Sequence, residues 1–117
     1  MTIAIDIRRF GHRLFHAALT GSSPDNAGWI ERKIRVTEHF GHSSLFMGAT
    51  SRAQNIDYAK VFGLSPATHA FSGGCFPILI RDTGPIGTIT VSGLPQRDDH
   101  ALVVWAIERA QERQRKR

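Results

Sequence analysis

The chain has 117 residues, of which 15 are Lys or Arg and 10 are Asp or Glu, giving a formal charge of +5. This length is enough for one core without a metal or a disulfide. Apolar residues make up 41% and charged residues 21%, which excludes a disordered or collagen-like chain. Cys75 has no partner for an internal disulfide, and no run reaches the roughly 20 apolar residues that span a bilayer. We therefore expect one soluble, cytoplasmic domain over 1–117, without a signal peptide or membrane contact.

The positive charge lies at the C-terminus. Residues 109–117 contain five basic side chains and one acid, Glu112, whereas residues 1–108 are nearly balanced. Cations suit the negative end of a helix dipole, and this tail has no aromatic residue to stack nucleobases. We interpret 109–117 as the solvated end of a helix. Nucleic-acid binding is the lesser alternative, through Arg113, Arg115, Lys116 and Arg117.

The first 19 residues have the pattern of a β-hairpin. Ile3, Ile5 and Ile7 alternate with other residues, which predicts a strand with one apolar face. Residues 9–12 contain Gly11 and form the predicted loop, and the apolar run 14–19 is the return strand.

Helices follow the hairpin. The segment 23–26 (Ser-Pro-Asp-Asn) combines a capping hydroxyl, an early Pro and an acid, which predicts a helix start. This helix runs to about Phe40, and residues 43–54 and 57–62 predict a second helix and a short third one. Within the first helix, the i, i+1, i+4, i+5 spacing of an amphipathic helix is present at Trp29, Ile30, Lys33 and Ile34.

A second hairpin and a last helix complete the chain. Residues 75–81 and 86–92 are the predicted strands, and Gly87 marks a bulge or a close backbone approach. Asp98 or Asp99 is expected to cap a helix over 101–114. Its apolar stripe comprises Leu102, Val103, Trp105, Ala106 and Ile107. The order β-β-α-α-β-β-α predicts an α+β fold, in which helices pack on an antiparallel sheet of two hairpins.

Six histidines are spread along the chain, and the sequence has no Cys pair or His-Glu-x-x-His element that would mark a metal site. His39 and His42, beside Glu38, are weakly compatible with a divalent metal, but solvated side chains at a helix end are the simpler interpretation.

His100 occupies a more informative position. It follows a strand end, the Gly93 turn and a helix start, where the helix dipole disfavours a charged imidazole. A neutral imidazole accepts a proton, binds a metal or hydrogen-bonds a ligand. The alternative is a structural histidine that ties the loop to the sheet.

Gly73 and Gly74 directly precede a predicted strand. Paired glycines allow positive φ and close approach of a ligand or of another backbone, and an ordinary turn is the simpler interpretation. Cys75 follows them without an adjacent cation to activate it, which is typical of a core thiol.

The motifs Gly73-Gly74-Cys75-Phe76-Pro77-Ile78 and Val91-Ser92-Gly93-Leu94-Pro95-Gln96 with Asp99-His100 resemble those of the haem-degrading domain family (GlcG/HbpS-like). The similarity is strongest to its branch of small cytosolic proteins without a settled activity. It extends over nearly the whole chain, including Trp29 and Lys33.

The resemblance implies a profilin-like fold that assembles into dimers or higher homo-oligomers. It also implies haem or corrinoid-related ligands, or iron. Two departures stand out: Ser72 lies where this branch often has a histidine, for which His69 is a substitute, and the family's N-terminal helical segment is missing ahead of Thr2. Either the start is shortened, or a neighbouring subunit covers the sheet face that the segment would cover.

Two functions are compatible with these residues. The residues do not identify a reaction. The first is a ligand-binding domain related to haem-binding proteins. The second is an oligomeric scaffold or protein-interaction module without enzymatic activity. The ligand site predicted for the first consists of Gly73, Gly74, Ser92, Gly93, Asp99 and His100, with His69 as a further member.

Overall fold

The computed structural model describes residues 2–116 as one antiparallel sheet with helices on both faces. The elements in chain order are β1 (Ala4–Arg9), β2 (His12–Ala18), α1 (Pro24–Phe40), α2 (Ser44–Gln54), α3 (Tyr58–Val61), β3 (Cys75–Ile80), β4 (Gly84–Ser92) and α4 (Gln96–Arg115). The predicted α+β class and the two hairpins are confirmed.

The two hairpins join through their inner strands. The strand order is β2-β1-β4-β3, and β1 pairs antiparallel with β4 from Ala4 opposite Ser92 to Arg9 opposite Gly87. This join places the end of β4 and the loop after it beside the start of β1.

Both hairpins carry a bulge. Leu14 is the extra residue of β2, because Ile7 faces Phe15 while Arg8 faces Arg13. In the second hairpin Gly87 faces Ile78 while Pro85 faces Leu79, so the register changes between Gly87 and Pro85. A Cβ at Gly87 would lie 2.0 Å from the carbonyl oxygen of Arg8, so the predicted close backbone approach is confirmed.

The core consists of two layers, one on each face of the sheet. On one face Ala4 and Cys75 pack against Ile30 and Ile34 of α1. On the other face the core centres on Val103 of α4, Val91 of β4 and Ile3, which directly precedes β1. The residues packed at this second centre are Ile3, Val91, Ile5, Phe76, Ile89, Leu94, Leu102 and Ile107.

Helix α1 follows the predicted pattern closely. Ser23 and Asn26 form a capping box, and Gly41 ends the helix at a φ of 74°. The buried residues of α1 are Ile30, Lys33, Ile34, Val36 and Thr37.

Helix α4 departs from the prediction in two respects. It begins at Gln96, five residues before the predicted start, and its N-cap is Pro95 rather than Asp98 or Asp99. Both acids lie in its first turn, where they favour the positive end of the helix dipole. Trp105 is 55% exposed rather than part of the core, and the Arg109 guanidinium lies over its ring. Over residues 2–116, no helix has the length and apolar character needed to cross a membrane.

Candidate functional site

A cleft of about 290 Å³ lies where α1, the end of β4, the start of α4 and the loop with Gly73 and Gly74 (the glycine loop) meet. Its lining combines carboxylate, amide, hydroxyl, ammonium and indole groups. The lining residues are Asp25, Asn26, Trp29, Lys33, Ser72, Ser92, Gly93, Leu94, Gln96 and Asp99.

The floor of the cleft is a buried ion pair. The side chains of Lys33 and Asp99 are 4% and 2% exposed. Lys33 Nζ donates to Asp99 Oδ2 at 3.1 Å and to the carbonyl oxygen of Val91 at 3.1 Å. Asp99 Oδ1 accepts from the Leu94 N–H at 2.9 Å. The pair thus ties α1 to β4 and to the start of α4.

Burial lowers the pKa of Lys33, and the Asp99 carboxylate opposes that shift. An ammonium group out of water is costly unless a carboxylate and further hydrogen bonds compensate it. Lys33 has three N–H donors, of which two have the partners given above. The third has no hydrogen-bond partner among residues 2–116.

The glycine pair allows the loop before β3 to lie directly on this floor. Gly74 has a φ of 140°, and a Cβ there would lie 2.4 Å from the Val91 carbonyl oxygen and 2.6 Å from Lys33 Nζ. The Gly73 N–H donates to Gln96 Oε1 at 3.0 Å. Both glycines therefore serve close packing against Lys33 and against α4.

Most of the residues predicted for a ligand site come together here. Ser92, Gly93 and Asp99 line the cleft, and Gly73 and Gly74 pack against its wall and floor. The loop with Gly73 and Gly74 therefore lies against the start of α4 at Gln96. Their role in binding a ligand stays a prediction.

His100 lies outside the lining of the cleft. Its ring packs 6.1 Å from that of Phe76, centroid to centroid, and its Nδ1 is buried without a hydrogen-bond partner among residues 2–116. Burial lowers the pKa of His100, which favours the neutral imidazole. Because one residue on a helix is a rotation of about 100°, Asp99 faces the cleft while His100 faces the sheet.

His69 also lies outside the cleft lining. Its ring is 6.3 Å from that of His39, and its Nδ1 is 2.7 Å from Thr68 Oγ1. The geometry therefore does not support the idea that His69 acts at this cleft in place of the histidine that this branch often has at position 72.

The sequence prediction missed Lys33 and Trp29 as site residues. The signal for Lys33 was present, since a lysine on the buried stripe of an amphipathic helix needs a partner. Trp29 lines the cleft, and the Arg32 guanidinium lies 4.2 Å from the centre of its ring.

A second polar cluster lies on β1, β2 and α1. The fully buried Asp6 accepts from Arg8 Nε at 2.8 Å and from Arg13 Nε at 3.0 Å, and His16 Nδ1 is 3.4 Å away. Arg8 also pairs with Glu31. The Arg8 hydrogen bond lowers the pKa of Glu31, and the Glu31 and Asp6 carboxylates raise the pKa of Arg8. The charges compensate one another, which is typical of a structural cluster.

The sequence matches a known family over most of its length. The family model described as "Haem degrading protein HbpS-like" matches residues 1–108. A UPF0303 protein of Streptomyces avermitilis is 52% identical over 106 residues, which cover 91% of this chain and 65% of that protein. A UPF0303 protein of Burkholderia cenocepacia is 49% identical over 105 residues, covering 90% and 64%. The chain thus spans slightly less than two thirds of the length of these relatives.

Solved structures share the fold. The Ybr137w protein superposes with a TM-score of 0.78 at 37% identity, over 87% of this chain and 60% of that one. HbpS gives a TM-score of 0.64 at 20% identity, over 86% and 67%. The Klebsiella pneumoniae protein ORFY gives 0.68 at 14% identity, over 86% and 68%. The last two comparisons are evidence of a common fold.

Proposed function

The chain belongs to the HbpS-like family of haem-degrading proteins, and from this premise we propose that it is a ligand-binding domain whose site is the cleft over Lys33 and Asp99. The observation that carries the proposal is the buried ion pair at the floor of a polar cleft. A buried pair adds little stability compared with apolar residues of the same size, so a role at a ligand site accounts for its presence there.

Haem does not fit this cleft. Haem iron in proteins is held by a His, Cys, Met or Tyr side chain, and the residues that line the cleft include none of these. His100 faces Phe76 instead. Among residues 2–116 no three His, Cys, Asp or Glu side chains converge on a metal position. The proposed ligand is therefore a small polar molecule rather than haem or iron.

The lining favours a ligand that both donates and accepts hydrogen bonds. Asn26, Gln96, Ser72 and Ser92 offer neutral donors and acceptors, and Lys33 offers an N–H at the floor. Because Asp99 already compensates the Lys33 charge, a neutral or zwitterionic molecule suits the floor better than a strong anion.

Saturation-transfer NMR with a library of small polar compounds tests this proposal, with haemin absorbance measured in parallel. The Ser72→Leu variant fills the cleft, and Thr20→Leu makes the same kind of change at an exposed position outside it. We expect hits whose signal is lost in Ser72→Leu and kept in Thr20→Leu. Hits that survive Ser72→Leu, no hits, or a Soret shift that Ser72→Leu abolishes would contradict the proposal.

A second candidate function, self-assembly as a scaffold, rests on a different observation. Ile7 faces the 50% exposed Phe15 across β1 and β2, whereas α4 packs mainly on β3 and β4. The β1–β2 half of this sheet face is therefore partly open. Contiguous apolar patches are uncommon on monomers, and a twofold dimer is the most frequent way to cover one.

Sedimentation velocity tests the second candidate. Phe15→Ser removes an aromatic ring from the open face, and Phe46→Ser removes an equally exposed ring from α2. A mass above that of the monomer in the unmodified chain and in Phe46→Ser, but not in Phe15→Ser, supports assembly through this face. A monomer at all concentrations excludes it.

A further inference from the structure

An apolar groove of about 360 Å³, distinct from the cleft over Lys33 and Asp99, runs between β3 and the C-terminal half of α4 and reaches Ile7 on the open part of the same sheet face. Its walls include Phe76, Ile78, Ile80, Ile89 and Ile107. Ala106 and Ala110 lie one helical turn apart in this wall, and their small side chains keep α4 from filling the space above the strand. The volume is within the usual range of small-molecule sites, about 300–1,000 Å³.

One end of the groove is cationic. Gln111 and Gln114 line both the groove and an adjoining depression of about 370 Å³, whose other lining residues are Arg81 and Arg115. Neither guanidinium forms an ion pair with a carboxylate of the described residues 2–116. The surface therefore combines an apolar channel with two uncompensated cations at its end.

We propose that this groove binds a free long-chain carboxylate, with the alkyl chain along β3 and α4 and the carboxylate at Arg81 and Arg115. Guanidinium and carboxylate groups match in geometry and form charge-assisted hydrogen bonds. The alkyl chain would cover side chains that are now partly in water, among them Ile80 at 46% exposure, and apolar burial is favourable. A second copy of the chain, whose residues 1–108 are nearly balanced in charge, offers no net negative surface to the cationic end.

Isothermal titration calorimetry of the full chain with dodecanoate, below its micelle concentration, tests the proposal. We expect one equivalent to bind. The double variant Arg81→Gln/Arg115→Gln should weaken binding by about tenfold or more, while Arg113→Gln on the same helix should not. Dodecanol should bind the unmodified chain more weakly than dodecanoate.

The groove itself is tested by a filling substitution. Ala110→Phe at an exposed helix position should abolish dodecanoate binding, and Ala101→Phe, also exposed on α4, should leave it intact. Equal affinity in the unmodified chain and in Ala110→Phe would overturn the proposal, as would equal affinity in the double arginine variant. It would also be overturned by binding to phospholipid vesicles without binding of dodecanoate. The proposal would also be overturned by two results together: the unmodified chain is an oligomer that Ala110→Phe dissociates, and dodecanoate does not bind.

Discussion

Lys33 of α1 and Asp99 of α4 are 66 residues apart in sequence, yet Lys33 Nζ donates to Asp99 Oδ2 at 3.1 Å with both side chains buried. This contact joins the two helices across the end of β4, because Lys33 also donates to Val91. The position of the cleft floor depends on it.

Breaking this pair should be strongly destabilising. Lys33→Met leaves a buried carboxylate without its cation, and Asp99→Asn leaves a buried ammonium group without its anion. Each should cost about 3–5 kcal/mol in free energy of unfolding, and the double variant should regain much of that loss. Urea denaturation measures all three, and strictly additive losses would show that the two groups do not interact.

Gly74 and Gly28 should respond in opposite directions to the same substitution. Gly74→Ala places a Cβ 2.4 Å from the Val91 carbonyl oxygen at a φ of 140°, which should cost at least about 2 kcal/mol. Gly28 is inside α1, and a Cβ there meets nothing within 4 Å, so Gly28→Ala should stabilise by about 0.5–1 kcal/mol. Thermal unfolding distinguishes the two, and a stable Gly74→Ala would disprove the close packing on Lys33.

His100 should make the fold sensitive to acid. Burial lowers its pKa below the ordinary value of 6.5, so the unfolded chain binds a proton before the folded one does. Stability should therefore fall as the pH drops from 6.5 towards the folded pKa. His100→Leu should flatten the curve of unfolding free energy between pH 7 and 5. An unchanged slope in this variant would show that His100 titrates alike in both states.

The Cys75 thiol should be unreactive in the folded protein. Burial raises its pKa to about 11, and the thiolate is the reactive form. With Ellman's reagent at pH 8, the folded chain should react far more slowly than the same chain in urea. Comparable rates in the two conditions would mean that the start of β3 opens readily.

Local pattern was sufficient to predict the two hairpins and α1. The stripe through Ile30 and Ile34 is buried as its pattern predicts. In β1, however, Ala4 and Asp6 are more buried than Ile5 and Ile7, because α1 packs on their face of the sheet. The predicted start of α4 was wrong because contacts with residues outside the helix hold its first turn. Gln96 bonds to the glycine loop and Asp99 bonds to Leu94, and neither contact follows from residues 96–100 alone.

The sequence predicted the loops that border the candidate cleft and only some of the side chains that line it. The glycine pair and the turn at Gly93 marked the two loops correctly. Which side chain of α4 faces the cleft depends on the helix start, because a change of one residue exchanges Asp99 for His100. To predict Lys33 as a site residue, its partner Asp99 has to be known, and the two become adjacent only in the folded chain, where α1 packs on β4.

Mapping a bound compound by amide and indole chemical shifts tests the ligand site most directly. Titration of the ¹⁵N-labelled chain with the tightest compound from the polar library should move the Trp29 indole signal and the amide signals of Gly73, Gly93 and Leu94. The signals of His69 and its neighbours should stay in place. Shifts confined to the surroundings of His69 or of the β3–α4 groove would contradict the proposed ligand site.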